Sequence, residues 1–191
     1  MSEILKAHLD KFITISDEEF AGVISFFNTR VLNKKENLLT EGQICKSNYF
    51  VLSGILRKFF INNKGVEHTT EFAIENWWMT DNFSFLNNSE TEFYIQSVKK
   101  SEVLLISHDK QKELLEKHPV MEKYFRCIHQ RALAAIQMRI KFLQDMSREE
   151  LYHHFRKTQP QFLQRVPQYL IASYLGITPE YLSEIRKKSI S

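Results

Sequence analysis

Apolar residues in this chain recur at helical spacing, then at strand spacing, then at helical spacing again. Over residues 3–13, Leu5, Leu9 and Phe12 fall on one face of an amphipathic helix. Ser16-Asp17-Glu18-Glu19 has the form of a capping box, which predicts a second helix to about Phe27. From Thr29 the period shortens. Strand-like runs fall at residues 30–32, 37–39, 48–52, 55–62, 67–74, 92–98 and 103–107. Glu41-Gly42, Ser53-Gly54 and Asn62-Asn63-Lys64-Gly65 punctuate them. So many short strands at close spacing predict an antiparallel barrel or jelly roll.

After Ser107 the helical period returns. Residues 108–117 read as a short helix ended by Pro119, and residues 120–144 as a long one. In the long helix Met121, Phe125, Ile128, Ala132, Ala135, Arg139 and Phe142 alternate spacings of four and three. That is a heptad seam interrupted by one arginine. Such a helix can pack on its own barrel, but the length of the seam favours a second copy of the chain. Ser147-Arg148-Glu149-Glu150 is another capping box and starts a helix to about Thr158. Three regions follow: 1–118, 119–145 and 146–191. The class is α+β, with an N-terminal barrel, flanking helices, a long self-associating helix and an all-α C-terminal domain.

The most informative stretch is residues 166–188. Leu170, Ile171 and Tyr174 share one face of a short helix, and Gly176 stands where that helix must stop and the chain must bend. Thr178 suits the N-cap of a second helix and Pro179 its first position. Leu182 and Ile185 then face inward, leaving Glu180, Tyr181, Ser183, Glu184, Arg186 and Lys187 outward. A plain helix hairpin shares this spacing. The outward face favours a helix-turn-helix, whose second helix lies in the DNA major groove. It offers carboxylates, a hydroxyl and an arginine for base edges, then a basic run ending in Lys187 and Lys188 for phosphates. Residues 147–191 hold seven Lys and Arg against four Glu, a net +3 equal to the formal charge of the whole chain. That balance is too modest to identify a DNA binder by itself.

Composition excludes several classes. The 191 residues are 43% hydrophobic and 26% charged, as in a soluble globular protein. Cys45 and Cys127 have no metal-ligand spacing and form no disulfide framework, so a reducing compartment is expected. The first twelve residues carry scattered charges and do not read as a signal peptide. No apolar run approaches membrane-spanning length, so the expected location is cytoplasmic with no membrane partner. A metal-dependent barrel enzyme needs a His-x-His pair with further ligands on its strands. Of seven histidines only His68 lies on a predicted strand, so neither an enzyme nor a cofactor is expected.

The order of small helices, barrel, long seam helix and helix-turn-helix resembles the Crp/Fnr family of bacterial transcription regulators. Glu41-Gly42-Gln43 is similar to that family's early barrel turn, and Tyr49-Phe50-Val51-Leu52-Ser53-Gly54-Ile55-Leu56-Arg57 to its strand–glycine–strand segment. Residues 166–188, with Asn76-Trp77-Trp78, resemble the subset found in Bacteroidetes. The resemblance implies a cyclic-nucleotide-binding-like sensor domain and a homodimer on a palindromic DNA site. It also implies RNA polymerase as a partner and a small-molecule effector that the sequence does not name. Thr178, Glu180, Tyr181, Ser183, Glu184, Arg186, Lys187 and Lys188 are the expected DNA-binding residues. Glu180 matches a family position that reads cytosine, while Glu184 stands where the best-known member has Arg, so that member's operator is not carried over. Tyr181 can pack on the core or touch a thymine methyl.

Two departures from the family pattern stand out. Members that bind cyclic nucleotides have a Gly-Glu pair and, later, an Arg-Ser or Arg-Thr pair that hold phosphate and ribose. Here the corresponding residues are Met79-Thr80-Asp81-Asn82 and Glu90-Thr91-Glu92. No Lys or Arg occurs from Gly65 to Val98, a span with six carboxylates. A phosphate there would lack a charge-assisted partner, so loss of cyclic-nucleotide binding is expected. The two separated cysteines likewise cannot hold an iron–sulfur cluster. Only three residues follow the basic run, so no β-wing is expected. A sensor module that binds a protein partner in place of DNA remains the alternative. The aromatic group Trp77, Trp78, Phe83, Phe85, Phe93 and Tyr94 is expected mostly in the barrel core.

Overall fold

The structure is a computed structural model that describes residues 2–188. The expectation about a β-wing concerns Ser189–Ser191 and lies outside the described residues. The chain divides into two compact units, residues 1–60 with 71–131, and residues 61–70 with 132–191.

The first unit is a jelly roll with flanking helices. Helices α1 (Ser2–Leu9) and α2 (Asp17–Ile24) lead into strands β1 (Asn28–Leu32), β2 (Asn37–Leu39), β3 (Ser47–Ser53), β4 (Leu56–Ile61), β5 (Glu67–Ala73) and β6 (Trp78–Met79). Helix α3 (Asn82–Asn87), strands β7 (Tyr94–Ser97) and β8 (Ser101–Ser107) and helix α4 (His108–Lys117) complete it. Two four-stranded sheets run in the orders β1-β8-β3-β6 and β2-β7-β4-β5. In β3 the run Tyr49-Phe50-Val51-Leu52 is buried on both faces. Tyr49 and Val51 join Leu32, Leu56, Ile95 and Val103 between the sheets, while Phe50 and Leu52 meet Leu5, Leu9, Val23, Leu114 and Met121 under the helices. A strand covered on both sides reads as a continuous apolar run, as this one does. Antiparallel pairing with β8 sets Tyr49 against Leu105 and Phe50 against Leu104.

Gly54 turns the chain from β3 to β4 at a φ of +101°, and a Cβ there would lie 2.6 Å from the Ser101 Cα. Only glycine fits that close approach. The capping box at Ser16 is formed in both directions, Glu19 N–H to Ser16 Oγ and Ser16 N–H to Glu19 Oε2, each 3.1 Å. Helix α2 ends three residues earlier than its pattern suggests, where the Ser25 hydroxyl donates to the Gly22 carbonyl. Strand β6 and helix α3 were not legible, because two and six residues are too short to show a period.

Helix α5 (Val120–Asp145) has residues in both units. The second unit continues with α6 (Arg148–Thr158), α7 (Pro160–Arg165), α8 (Gln168–Leu175) and α9 (Pro179–Lys188). Its core holds Leu151, Tyr152, Phe155, Phe162, Val166, Leu170, Ile171, Leu175, Leu182 and Ile185. The Ser173 hydroxyl on α8 accepts from the Thr69 N–H and donates to the Glu67 carbonyl, which ties residues 61–70 to this unit. Among the described residues no helix is long and apolar enough to cross a membrane.

Candidate nucleic-acid interface and sensor cassette

Helices α8 and α9 meet at Gly176, whose φ is +68°. The Ile177 N–H donates to the Ala172 carbonyl and the Gly176 N–H to the Ser173 carbonyl, the paired bonds of a Schellman motif. The Thr178 hydroxyl accepts from the Tyr181 N–H at 3.2 Å, so it caps α9, and Pro179 opens the helix. Leu182 and Ile185 are buried, whereas Glu180, Tyr181, Ser183, Glu184, Lys187 and Lys188 are exposed. Arg186 departs from the sequence expectation. It is half-buried and lines a cleft with Tyr152, Arg156, Leu163 and Gln168. The basic residues also complement the carbonyl end of the α9 dipole, which they would do in any protein.

Most residues of the expected α5 seam pack within their own chain. Met121 and Phe125 belong to the core of their own chain, and Ile128 packs against that core. Arg139 lies over the Tyr174 ring, 3.6 Å from its centroid, and donates to the Tyr174 carbonyl. Phe142 packs on His154 with ring centroids 4.3 Å apart. Of the seven expected seam residues only Ala132 and Ala135 are exposed. The exposed apolar stripe is Leu133, Ile136, Ile140 and Leu143, between 36% and 57% exposed. These sit one residue after Ala132, Ala135, Arg139 and Phe142, and one residue turns a helix by about 100°. Spacings of three and four fit both faces, so periodicity alone could not choose between them.

In the barrel, Asp81 caps α3 by accepting from the Phe83 N–H at 3.1 Å, and its other oxygen accepts from the Thr91 hydroxyl at 2.5 Å. A buried carboxylate thus ties together the segment of residues 80–91 at Phe83 and Thr91. Lys58, on β4, reaches the same segment: its ammonium donates to the Thr80 carbonyl at 3.2 Å and pairs with Glu71 at 2.6 Å. The span from Gly65 to Val98 does lack cations, but a cation from outside it enters. Its signal was the alternation of β4, where Lys58 shares a face with the core residue Leu56. Arg57, on the other face, lies over the Phe59 ring and donates to Gln96. Beside that segment the Trp78 indole N–H donates to the Tyr124 hydroxyl at 2.7 Å, leaving that hydroxyl to donate to His8 Nδ1 at 2.8 Å. Burial, with the Lys11 and Arg131 cations, lowers the His8 pKa from 6.5 to about 4.

The aromatic expectation holds in part. Phe85 is core and Trp78 packs on the core, but Trp77 and Phe83 are exposed, with Leu86 beside Phe83 on α3. No group of three or more metal-capable side chains occurs among the described residues.

Residues 29–118 match the family of the cyclic nucleotide-binding domain. The fold is shared with solved structures at low identity. FixK2 from Bradyrhizobium japonicum has a TM-score of 0.72 at 13% identity, over 85% of this chain and 83% of that one. The c-di-GMP-responsive global regulator CLP from Xanthomonas campestris has 0.70 at 16%, over 88% and 90%. A CooA variant from Carboxydothermus hydrogenoformans has 0.69 at 18%, over 92% and 85%. No curated protein matches the chain significantly.

Proposed function

We propose that this protein is a homodimeric, sequence-specific DNA-binding transcription regulator of the Crp/Fnr type, with the Bacteroidetes-type signature at Asn76-Trp77-Trp78. The observation that carries the reading is the α8–Gly176–α9 corner, closed by a Schellman motif, with Leu182 and Ile185 buried and a polar face left outward. Its partners are a palindromic DNA duplex, a second copy of the chain, RNA polymerase and a small-molecule effector. The chain is not an enzyme and has no resident cofactor.

The second copy docks on Leu133, Ile136, Ile140 and Leu143, whose spacings of three and four match a two-stranded coiled coil. Exposed Ala132 and Ala135 flank that stripe with small side chains. The two recognition helices then read half-sites about one helical turn apart, on the order of 10 bp, or a multiple.

The sensor barrel does not bind cyclic nucleotides. Asp81 already accepts the donors at Phe83 and Thr91, and a phosphate would meet its carboxylate at close range. Lys58 is already paired with Glu71. Titration calorimetry with cyclic AMP and cyclic GMP should show no binding at micromolar concentration, and a micromolar constant would refute this part.

Binding-site selection on the wild type, Glu180→Ala and Lys188→Ala tests the whole reading. Losing Glu180 should relax one position per half-site by about 1–3 kcal/mol, because its carboxylate accepts from cytosine N4. Losing Lys188 should weaken all sequences alike and lower the salt slope by about one. No selected sequence at all would point to the partner-protein alternative.

A further inference from the structure

The cleft of about 170 Å³ lined by Tyr152, Arg156, Leu163, Gln168 and Arg186 has a lining suited to one kind of ligand. Its polar members are two guanidiniums, an amide and a phenol, and no carboxylate is among them. Neither Arg156 nor Arg186 forms an ion pair or hydrogen bond with another described residue. Two guanidiniums that share a cleft repel each other unless an anion lies between them. Tyr152 is only 3% exposed, yet its hydroxyl has no hydrogen-bond partner among the described residues. That hydroxyl is not sealed from solvent, so it can donate to an acceptor that enters the cleft.

We propose that this cleft binds a phosphate group, with Arg156 and Arg186 as its charged clamp and Tyr152 and Gln168 as neutral donors. Phosphate oxygens only accept, and a guanidinium fork matches them with two parallel bonds. The polar lining comes from α6, α8 and α9, so closing on one anion would draw those three helices together. Two sources supply the same chemistry. One is a phosphodiester of the DNA backbone, which rests on the reading that α9 meets DNA. The other is a free phosphorylated small molecule. In either case Arg186 is a phosphate ligand and not a reader of base edges.

The test uses the full chain as wild type, Arg156→Gln, Arg186→Gln, the double variant and Tyr152→Phe. Thermal melts in sodium chloride first establish that each variant is folded. Affinity for a selected DNA site is then measured against salt. The expected result is a loss of about 10- to 100-fold for each arginine and a smaller loss for Tyr152→Phe. Because both arginines hold one phosphate, the double variant should lower the salt slope by about one, where two separate contacts would lower it by about two. In parallel, DNA-free protein is melted in inorganic phosphate and in sodium chloride of equal ionic strength. A phosphate-specific rise in melting temperature in the wild type, lost in the double variant, supports the site without reference to DNA. That rise with an unchanged salt slope assigns the cleft to a free phosphate and rejects the backbone source. If the wild type binds no DNA, the regulator reading fails and the melts alone decide the cleft. A double variant equal to the wild type in both measurements overturns the proposal.

Discussion

In the barrel unit several interior polar side chains are matched to one another. Asp81 accepts from Thr91, Lys58 pairs with Glu71, Arg57 donates to Gln96, and Trp78, Tyr124 and His8 form a chain of hydrogen bonds. In the C-terminal unit several apolar and cationic groups are left at the surface. Leu133, Ile136, Ile140 and Leu143 face outward, Arg156 and Arg186 share a cleft with no carboxylate, and α9 presents a polar face. A buried polar group must find a partner or cost stability, so these pairs stabilise the barrel from within, while Asn48 Oδ1, Ser89 Oγ and Gln111 Oε1 are buried there without a partner among the described residues. The helical unit leaves apolar and cationic surface that other molecules can cover.

Spoiling the apolar stripe should have the greatest effect. Ile136→Glu with Ile140→Glu removes four buried side chains across a two-fold seam, at roughly 1.5–3 kcal/mol each, on the order of 6 kcal/mol or more. Sedimentation should show a dimer become a monomer, while the melting of the barrel is unchanged. Met121→Ala should do the opposite, destabilising the fold by about 2–5 kcal/mol with no effect on association. A wild type that is monomeric at micromolar concentration would end the two-fold DNA reading.

A smaller effect probes the closed side. His8 is neutral in the folded barrel, with a pKa of about 4 against an ordinary 6.5. Its folded pKa is the lower one, so protons bind the unfolded chain better. The contribution is therefore intact above pH 6.5 and is lost as the pH falls from 6.5 through 4, by on the order of 3 kcal/mol. Urea titrations across that range should show the loss, and His8→Gln should flatten it. A wild type with no slope there would show that His8 keeps its ordinary pKa in the folded barrel.

One motif occurs in both regions, and its loss should have the smallest effect. Ser16 and Ser147 each form a reciprocal capping box, with Glu19 and Glu150. Ser16→Ala and Ser147→Ala should each cost about 1 kcal/mol, read as a shift in denaturation midpoint. Equal costs would show that the regions differ in what they leave open and not in how their helices are built.

Both capping boxes, the Gly176 corner and the position of Pro179 were legible in the sequence, because each depends on residues within a few positions of one another. So were the strand runs, since β3 and β8 are long enough to show their burial. Helix α7 passed unnoticed, as its six residues carry a single buried side chain, Phe162. The exposed stripe of α5 lies one residue after the expected seam for a different reason. Two neighbouring faces of that helix are both apolar, and only tertiary packing shows that one is covered by Tyr174, His154 and the barrel core.

The sequence by itself determined the local devices and their order: caps, turns, strand alternation, and the spacing of a helix-turn-helix. Each follows from backbone geometry and from side chains close along the chain. Which side chains meet was decided by the tertiary structure alone. Lys58 reaches Thr80 across 22 residues, His8 reaches Tyr124 across 116, and Arg156 and Arg186 come to line one cleft from two helices. Coulomb and hydrogen-bond energies depend on separation in space, and no local period encodes a distance between segments so far apart.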